Sequence, residues 1–414
     1  MFWWLSFIRP PLSDAHGGQS VDVIIQITND LRTELYPEPI DLYAVWTSLS
    51  FETATDPAKI TTWRPEYPHK LVSLPCPRVS SPLSTWLLGL FACPIGTPPV
   101  PSRMSVNLTD SQAMRQIIPV YSAPISVYAS TTPKAPGRKR GPSASTRKLD
   151  EIQRVFKLPP WFSGGPERIM RFTEKTSFDL DKKLWDSGLA TALFFSRLRD
   201  QTHVYPAPFK DTIQDIVDML WTRRKECNVL ELGTGTGIVS IALSLLLSQK
   251  SSENEDDSGA TAHSDPLPIL RIHATDLPSA LPLIGRNIDG NCHLREESEQ
   301  DSPLVVIPTA GVLDWEDETL PEDVVSNPPD LILMSDVTYN TSSFPALLKT
   351  LNNLLDLSPH ARIMLAYKER HDSERVVWPM FEEQVGLQIH KVDNVPGAGG
   401  APVEIWLGRR HRKQ

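Results

Sequence analysis

The sequence predicts an α/β chain, a largely parallel sheet with helices on both faces, behind a β-rich N-terminal region. Three observations carry this. From about residue 150, short branched-apolar runs alternate with stretches of helical period, the pattern of strands joined by crossover helices. Before residue 130, branched and aromatic runs follow one another between turn signals. Between them lies TTPKAPGRKRGPSASTRK (131–148), rich in Pro, Gly, Ser and positive charge, which is linker composition. A chain of 414 residues is long enough for two domains, and 40% hydrophobic content can fill their cores. The expected division is 1–130, a linker at 131–149 and a second domain at 150–414.

In chain order, MFWWLSFI opens the sequence. It is too short to span a membrane and lacks a basic leader, so it is expected to be a strand packed on the body. Strands follow at 20–28, 41–49 and 117–129. Within the linker, Arg138-Lys139-Arg140 reads as solvated charge, with nuclear import as the alternative. Residues 180–198 place Leu184, Gly188, Leu189, Ala192 and Phe195 on one helical face. Strands are expected at 228–232, 269–275, 304–308, 330–335, 362–366, 386–392 and 403–407. SSENEDDSGATAHSDPLP (251–268) is acidic and nearly devoid of bulky apolar groups, an expected disordered insertion.

A formal net charge of −9 argues against nucleic-acid binding through an overall basic surface, although a local basic patch is compatible with it. The four cysteines, Cys76, Cys93, Cys227 and Cys292, form no CxxC pair, which points to a reduced cytoplasmic or nuclear setting without disulfides. No metal-ligand spacing is present.

The chemistry concentrates in VLELGTGTGIVSIA (229–242). A buried strand runs into glycines at every second position and then into an apolar helix. Such a turn permits positive φ and lets a ligand approach the backbone, and the helix start offers N–H groups. Ile238 stands where the dinucleotide fingerprint needs its third glycine, and there is no P-loop lysine, so neither phosphate motif fits. A purely structural tight turn is the competing reading. Asp276 ends the next strand, placed to accept from ribose hydroxyls or to cap a helix. It lies 39 residues after Gly237, which becomes 21 once the eighteen residues 251–268 are set aside, near the usual interval of about 20. Asp314-Trp315 closes the third strand, where Trp315 could stack on a base and Asp314 accept from its amine, or Trp315 could be core. The next strand delivers Ser335, Asp336 and Tyr339 to the same carboxyl edge, where open α/β folds place ligands.

Taken together, Glu231-Leu232-Gly233-Thr234-Gly235-Thr236-Gly237, Asp276, Leu313-Asp314-Trp315 and Asp336-Val337-Thr338-Tyr339 resemble class I S-adenosylmethionine-dependent methyltransferases. More narrowly they resemble the methyltransferase-16 family, whose characterised members are mostly non-histone protein-lysine methyltransferases. Trp185-Asp186-Ser187-Gly188 matches that family's tryptophan-and-glycine helix. The resemblance covers about residues 150–410. It implies a Rossmann-like seven-stranded sheet with an antiparallel last hairpin, and S-adenosyl-L-methionine as cofactor. By the resemblance, Glu231, Gly233, Gly235 and Gly237 hold the methionine end, with Ser335 also on the cofactor side. Asp276 takes the ribose, Asp314 and Trp315 the adenine, and Trp185 closes the site. Asp336 and Tyr339 match the motif beside the target amine.

Asn327-Pro328-Pro329-Asp330 is similar to a signature of amide- and adenine-directed methyltransferases, but it precedes its strand and lacks the terminal aromatic, so it reads as a turn. Lys368, Glu369, Arg370 and His371 read as a solvated charged loop, with substrate contact as the alternative. The basic tail from Arg409 reads as surface charge. The expected activity is methylation of a protein lysine, with no nucleic-acid or membrane partner. Small-molecule nitrogen methylation, histidine methylation and a silent interaction module are the competing readings.

Overall fold

The computed structural model describes residues 2–108, 115–129, 149–158, 168–177, 179–200, 205, 207–222, 225–247, 269–293, 306–397 and 399–411. The linker with Arg138-Lys139-Arg140, the insertion 251–268 and the end of the basic tail lie outside them. The chain divides into two compact units, one of residues 1–157, 171–179 and 397–399, the other of 158–170, 180–396 and 400–414.

Among the described residues the first unit is built on a three-stranded and a nine-stranded sheet, with one short 3₁₀ helix at Pro101–Met104. MFWWLSFI contributes the strand Trp4–Arg9, antiparallel to Ser20–Thr28, with Phe2, Trp3, Trp4, Leu5 and Phe7 all buried. Alternation in Ser20–Thr28 sends Val21, Val23, Ile25 and Ile27 into one core, as a half-buried strand requires. The strand expected at 41–49 is Ile40–Thr47, buried along its whole length between Ala58–Trp63 and Leu83–Cys93. The stretch 117–129 forms two short strands, Val120–Ser122 and Ile125–Tyr128. The nine-stranded sheet also takes in Glu151–Leu158, so the compositional boundary near 150 falls inside the β-rich part. Arg154 is buried in this unit, paired with Glu174 at 2.7 Å and donating to the carbonyls of Leu5 and Pro119. These bonds satisfy a charge that burial would otherwise make costly.

The second unit is a seven-stranded sheet: β1 (Cys227–Leu232), β2 (Leu270–Asp276), β3 (Thr309–Val312), β4 (Leu331–Ser335), β5 (Arg362–Tyr367), β6 (Leu387–Val395) and β7 (Val403–Arg410). Their order is β3-β2-β1-β4-β5-β7-β6, parallel except for β7, which pairs antiparallel with both β5 and β6. One expected strand is displaced. The third pairs at Thr309–Val312; of the expected 304–308, residues 304 and 305 lie outside the described residues, and Pro308 has no N–H to donate to a ladder.

The helix expected at 180–198 begins later, as α1 (Asp186–Asp200), after a separate 3₁₀ turn at Leu180–Lys182. After β1 comes α2 (Ile238–Leu247), all ten residues of which are buried. Its all-round apolar surface requires that burial. α3 (Leu281–Ile288) follows β2, and α4 (Phe344–Leu357) follows β4, packing Leu347, Leu351 and Leu354 on the core of β1, β4 and β5. Asn327-Pro328-Pro329 lies at the amino edge of the sheet, where Asp330 accepts from the Asn228 N–H at 3.0 Å, as expected of a turn. All four cysteines are buried, and no disulfide joins them. Among the described residues no helix is long and apolar enough to cross a membrane.

Candidate active site

At the carboxyl edge of β1, β2 and β4 lies a cavity of about 380 Å³. Its wall includes Trp185, Glu231, Gly233, Gly235, Asp276, Asp314, Trp315, Ser335, Asp336 and Tyr339, so ten of the eleven residues singled out in the sequence converge here. The exception is Gly237, which does not reach the wall. At φ 85° it completes the turn, and an added Cβ would lie 3.3 Å from Ile241 Cδ1, so its glycine serves the turn and the packing of α2.

The glycine turn is held by backbone geometry. Gly233 and Gly235 have φ of 65° and 58°, which side chains rarely adopt. A Cβ on Gly233 would stand 3.0 Å from Val337 Cγ1 and 3.5 Å from the Trp315 ring, closing the space between turn and indole. Thr234 N–H donates to the Thr275 carbonyl, and Gly235 N–H donates to Asp276 Oδ2 at 2.7 Å. Asn287, buried on α3, donates to the Thr236 carbonyl at 2.9 Å. This support was not anticipated, since an asparagine far along the chain carries no local signal.

Glu231 is fully buried. Its Oε2 accepts from Thr234 Oγ1 at 2.6 Å, from Ser240 N–H at 3.1 Å and from Ser240 Oγ. Burial outweighs these bonds and pushes the carboxyl up to about 7. Burial likewise raises Asp276, against the N–H groups of Gly235 and Leu277 that favour its charge. Asp314 accepts from Glu316 N–H at 3.0 Å, and Trp315 lies half-buried at the cavity.

On the opposite side Ser335 shares a hydrogen bond with Thr191 at 2.9 Å. Asp336 has φ 59°, outside the usual range for a residue with a Cβ, a strain that clusters at functional sites. Its carboxylate is gripped in bidentate fashion by Arg370, with Nη2 at 3.1 Å from Oδ2, and it accepts from Ser187 N–H at 3.2 Å. The same guanidinium lies 5.4 Å from the centre of the Trp185 ring, whose Nε1 donates to Leu180 O at 2.9 Å. Lys368 is buried too, 2.7 Å from the fully buried Asp186 at the start of α1. Lys368 and Arg370 are therefore not part of a solvated loop; they tie the end of β5 to α1 and β4. Tyr339 is half-exposed, and burial together with the charges of Asp276, Asp181 and Asp336 raises its pKa, leaving the phenol protonated at neutral pH.

The sheet order, the glycine turn after the first strand and the acids ending the first two strands define a class I S-adenosylmethionine-dependent methyltransferase. Residues 165–384, more than half of the chain, match the model of the methyltransferase-16 family, described as lysine methyltransferase, and the chain belongs to that family. Among curated relatives, a UPF0665 family protein of Schizosaccharomyces pombe is 28% identical over 216 residues, 51% of each chain. A protein-lysine N-methyltransferase of Saccharomyces cerevisiae is 29% identical over 36% of this chain and 52% of its own. The EEF1A lysine methyltransferase 3 of Xenopus tropicalis is 31% identical over 35% and 48%. The chain thus spans about half the length of the curated relatives it matches.

S-adenosyl-L-methionine is the cofactor of this class, and the residues fit it. Glycines leave room for a ligand against the backbone, carboxylates in the cavity wall can accept from hydroxyl and amino groups, and the buried Thr236 hydroxyl, also in that wall, has no hydrogen-bond partner among the described residues.

Proposed function

We propose that this chain methylates a lysine side chain of a non-histone protein. The observation that carries the reading is one cavity with the glycine turn and Asp276 on one side and Asp336 and Tyr339 on the other. The family description and the names of two relatives favour lysine as acceptor.

The bound cofactor supplies an activated methyl on a sulfonium, so the protein's task is positioning, with the reacting atoms about 3–3.5 Å apart. In this reading Glu231 and the turn at Gly233 and Gly235 hold the amino-acid end, and Asp276 the ribose. Asp314 and Trp315 hold the adenine, and Ser335 and Trp185 close the remaining walls. Asp336 accepts a hydrogen bond from the acceptor amine and aims its lone pair. The Tyr339 phenol, protonated at neutral pH, walls the channel. A lysine must arrive neutral although its ordinary pKa is about 10.4, and water can carry the proton away.

The test incubates the purified chain with radiolabelled S-adenosylmethionine and a lysate from its own source, intact and freed of small molecules. Asp336→Ala is the control. A labelled protein band absent from the control, with methyl-lysine found by mass spectrometry, is the expected result. Label confined to small molecules would overturn the protein-lysine reading in favour of a small-molecule acceptor.

A further inference from the structure

An aspartate beside a substrate amine creates a conflict. Its charge stabilises the ammonium form and raises the amine's pKa, whereas methyl transfer requires the neutral amine. The fold contains an answer. Both Asp336 oxygens face the Arg370 guanidinium, and the two side chains are only 7% and 8% exposed. Arg370 is itself held, with its backbone N–H donating to Glu374 at 3.3 Å, one guanidinium N–H reaching the Lys368 carbonyl at 3.4 Å, and its face toward Trp185.

We propose that Arg370 is a positioning residue that cancels the charge of Asp336, so that the acceptor site orients an amine while selecting its neutral form. The proposal rests on the lysine reading for the identity of the acceptor, but not for the charge of the site. A carboxylate paired in this way keeps lone pairs for an N–H donor and loses its net attraction for a cation.

The other charged groups facing this corner are themselves engaged. From α1, Asp186 is held by Lys368. From the turn before α1, Asp181 accepts from Ser279 Oγ at 2.7 Å and lies 3.8 Å from Lys182. From the end of β2, Asp276 accepts two backbone N–H groups. After β5, Glu374 is buried and its pKa is raised by that burial. Burial and the neighbouring carboxylates raise the Tyr339 phenol above its ordinary value, which favours its neutral form. Lys183, on the same stretch before α1, is buried in the cavity wall and has a partner of its own. The pair of Asp336 and Arg370 is thus the element altered here to change the local charge.

The experiment titrates n-butylamine, a lysine side-chain mimic, into the full chain saturated with S-adenosylhomocysteine, following binding by ligand-observed NMR between pH 7 and 9.5. For a site that takes the neutral amine, affinity rises about tenfold per pH unit below the amine's pKa. Wild type is expected to show this slope. Arg370→Met and Arg370→Gln are expected to flatten it, because the bared Asp336 now binds the ammonium ion. Arg370→Lys, which restores a cation, is expected to recover it. Calorimetric binding of S-adenosylhomocysteine verifies that each variant is folded. A flat wild-type profile, no n-butylamine binding at any pH, or a slope unchanged in both Arg370→Met and Arg370→Gln would overturn the proposal. A purely structural arginine would weaken binding without moving the slope. Failure of the lysine reading appears elsewhere, as the absence of a labelled protein, and leaves these slopes intact.

Discussion

The two sides of the cavity are built by different means. The cofactor side is held by backbone, with glycines at positive φ, amide N–H groups bound by Asp276 and a carbonyl tied by Asn287. The opposite side, the proposed acceptor side, is held by charged side chains, in the pairs Asp336–Arg370 and Asp186–Lys368. A backbone-built site tolerates almost no change of residue type at its turns. A charge-built site fails when one member of a pair is lost, and its chemistry can be retuned by that pair.

The largest expected effect comes from the acceptor side. Lys368→Met leaves Asp186 buried without its lysine, and breaking a buried pair in this way costs about 3–5 kcal/mol. Chemical denaturation should show the midpoint falling accordingly, and an unchanged midpoint would mean that water replaces the lysine. Next, Gly235→Val forces a β-branched residue to φ 58° and disturbs the N–H that meets Asp276. At a strain of about 1–3 kcal/mol, calorimetry should find S-adenosylhomocysteine bound up to roughly a hundredfold more weakly. Trp315→Ala removes a stacking face worth about 1–3 kcal/mol and should weaken the same ligand by roughly fivefold to a hundredfold. Adenosine should lose affinity in parallel; if it does not, Trp315 is core rather than a base platform.

The smallest effect concerns Glu231. Its carboxyl is held near 7 in the fold against an ordinary 4.5, so between these values the folded protein retains a proton that the unfolded chain has released. Stability from this group is therefore greatest at low pH and is lost as pH rises from about 4.5 to 7. Glu231→Gln removes that dependence, and its Tm relative to wild type should climb by a few degrees between pH 5 and pH 8. A constant difference would show the carboxylate ionised throughout.

The same contrast explains what could be read in the sequence. The cofactor side was legible because each part ends a strand and sits next to its own signal, as with the glycines after VLEL and Asp276 at the end of β2. Six of the seven strands of this sheet lie within a few residues of their expected places, and the third pairs just after Pro308, which has no N–H to donate to a ladder. The acceptor side was half legible. Asp336 and Tyr339 follow β4, but their partners arrive from elsewhere, Arg370 34 residues on and Lys368 182 residues from Asp186. A run such as Lys-Glu-Arg-His has the composition of a solvated loop, and only the return of β5 beside β4 reveals that Lys368 is buried and that the Arg370 side chain is enclosed in its ion pair. The first unit's strands at 20–28, 41–49 and 117–129 were recognised by branched and aromatic runs between turn signals, while the chain's crossing back at 151–158 left no compositional mark.

The burial of the thiols has a practical consequence. Thiolate is the form that reacts with labelling reagents, and burial pushes Cys76 up to about 11 and raises Cys93 as well. With all four native cysteines enclosed, the molecule offers a silent background for site-directed spectroscopy. A thiol introduced at the half-exposed Tyr339 would carry a fluorophore or spin label at the edge of the cavity, turning that edge into a reporter for ligands that reach it.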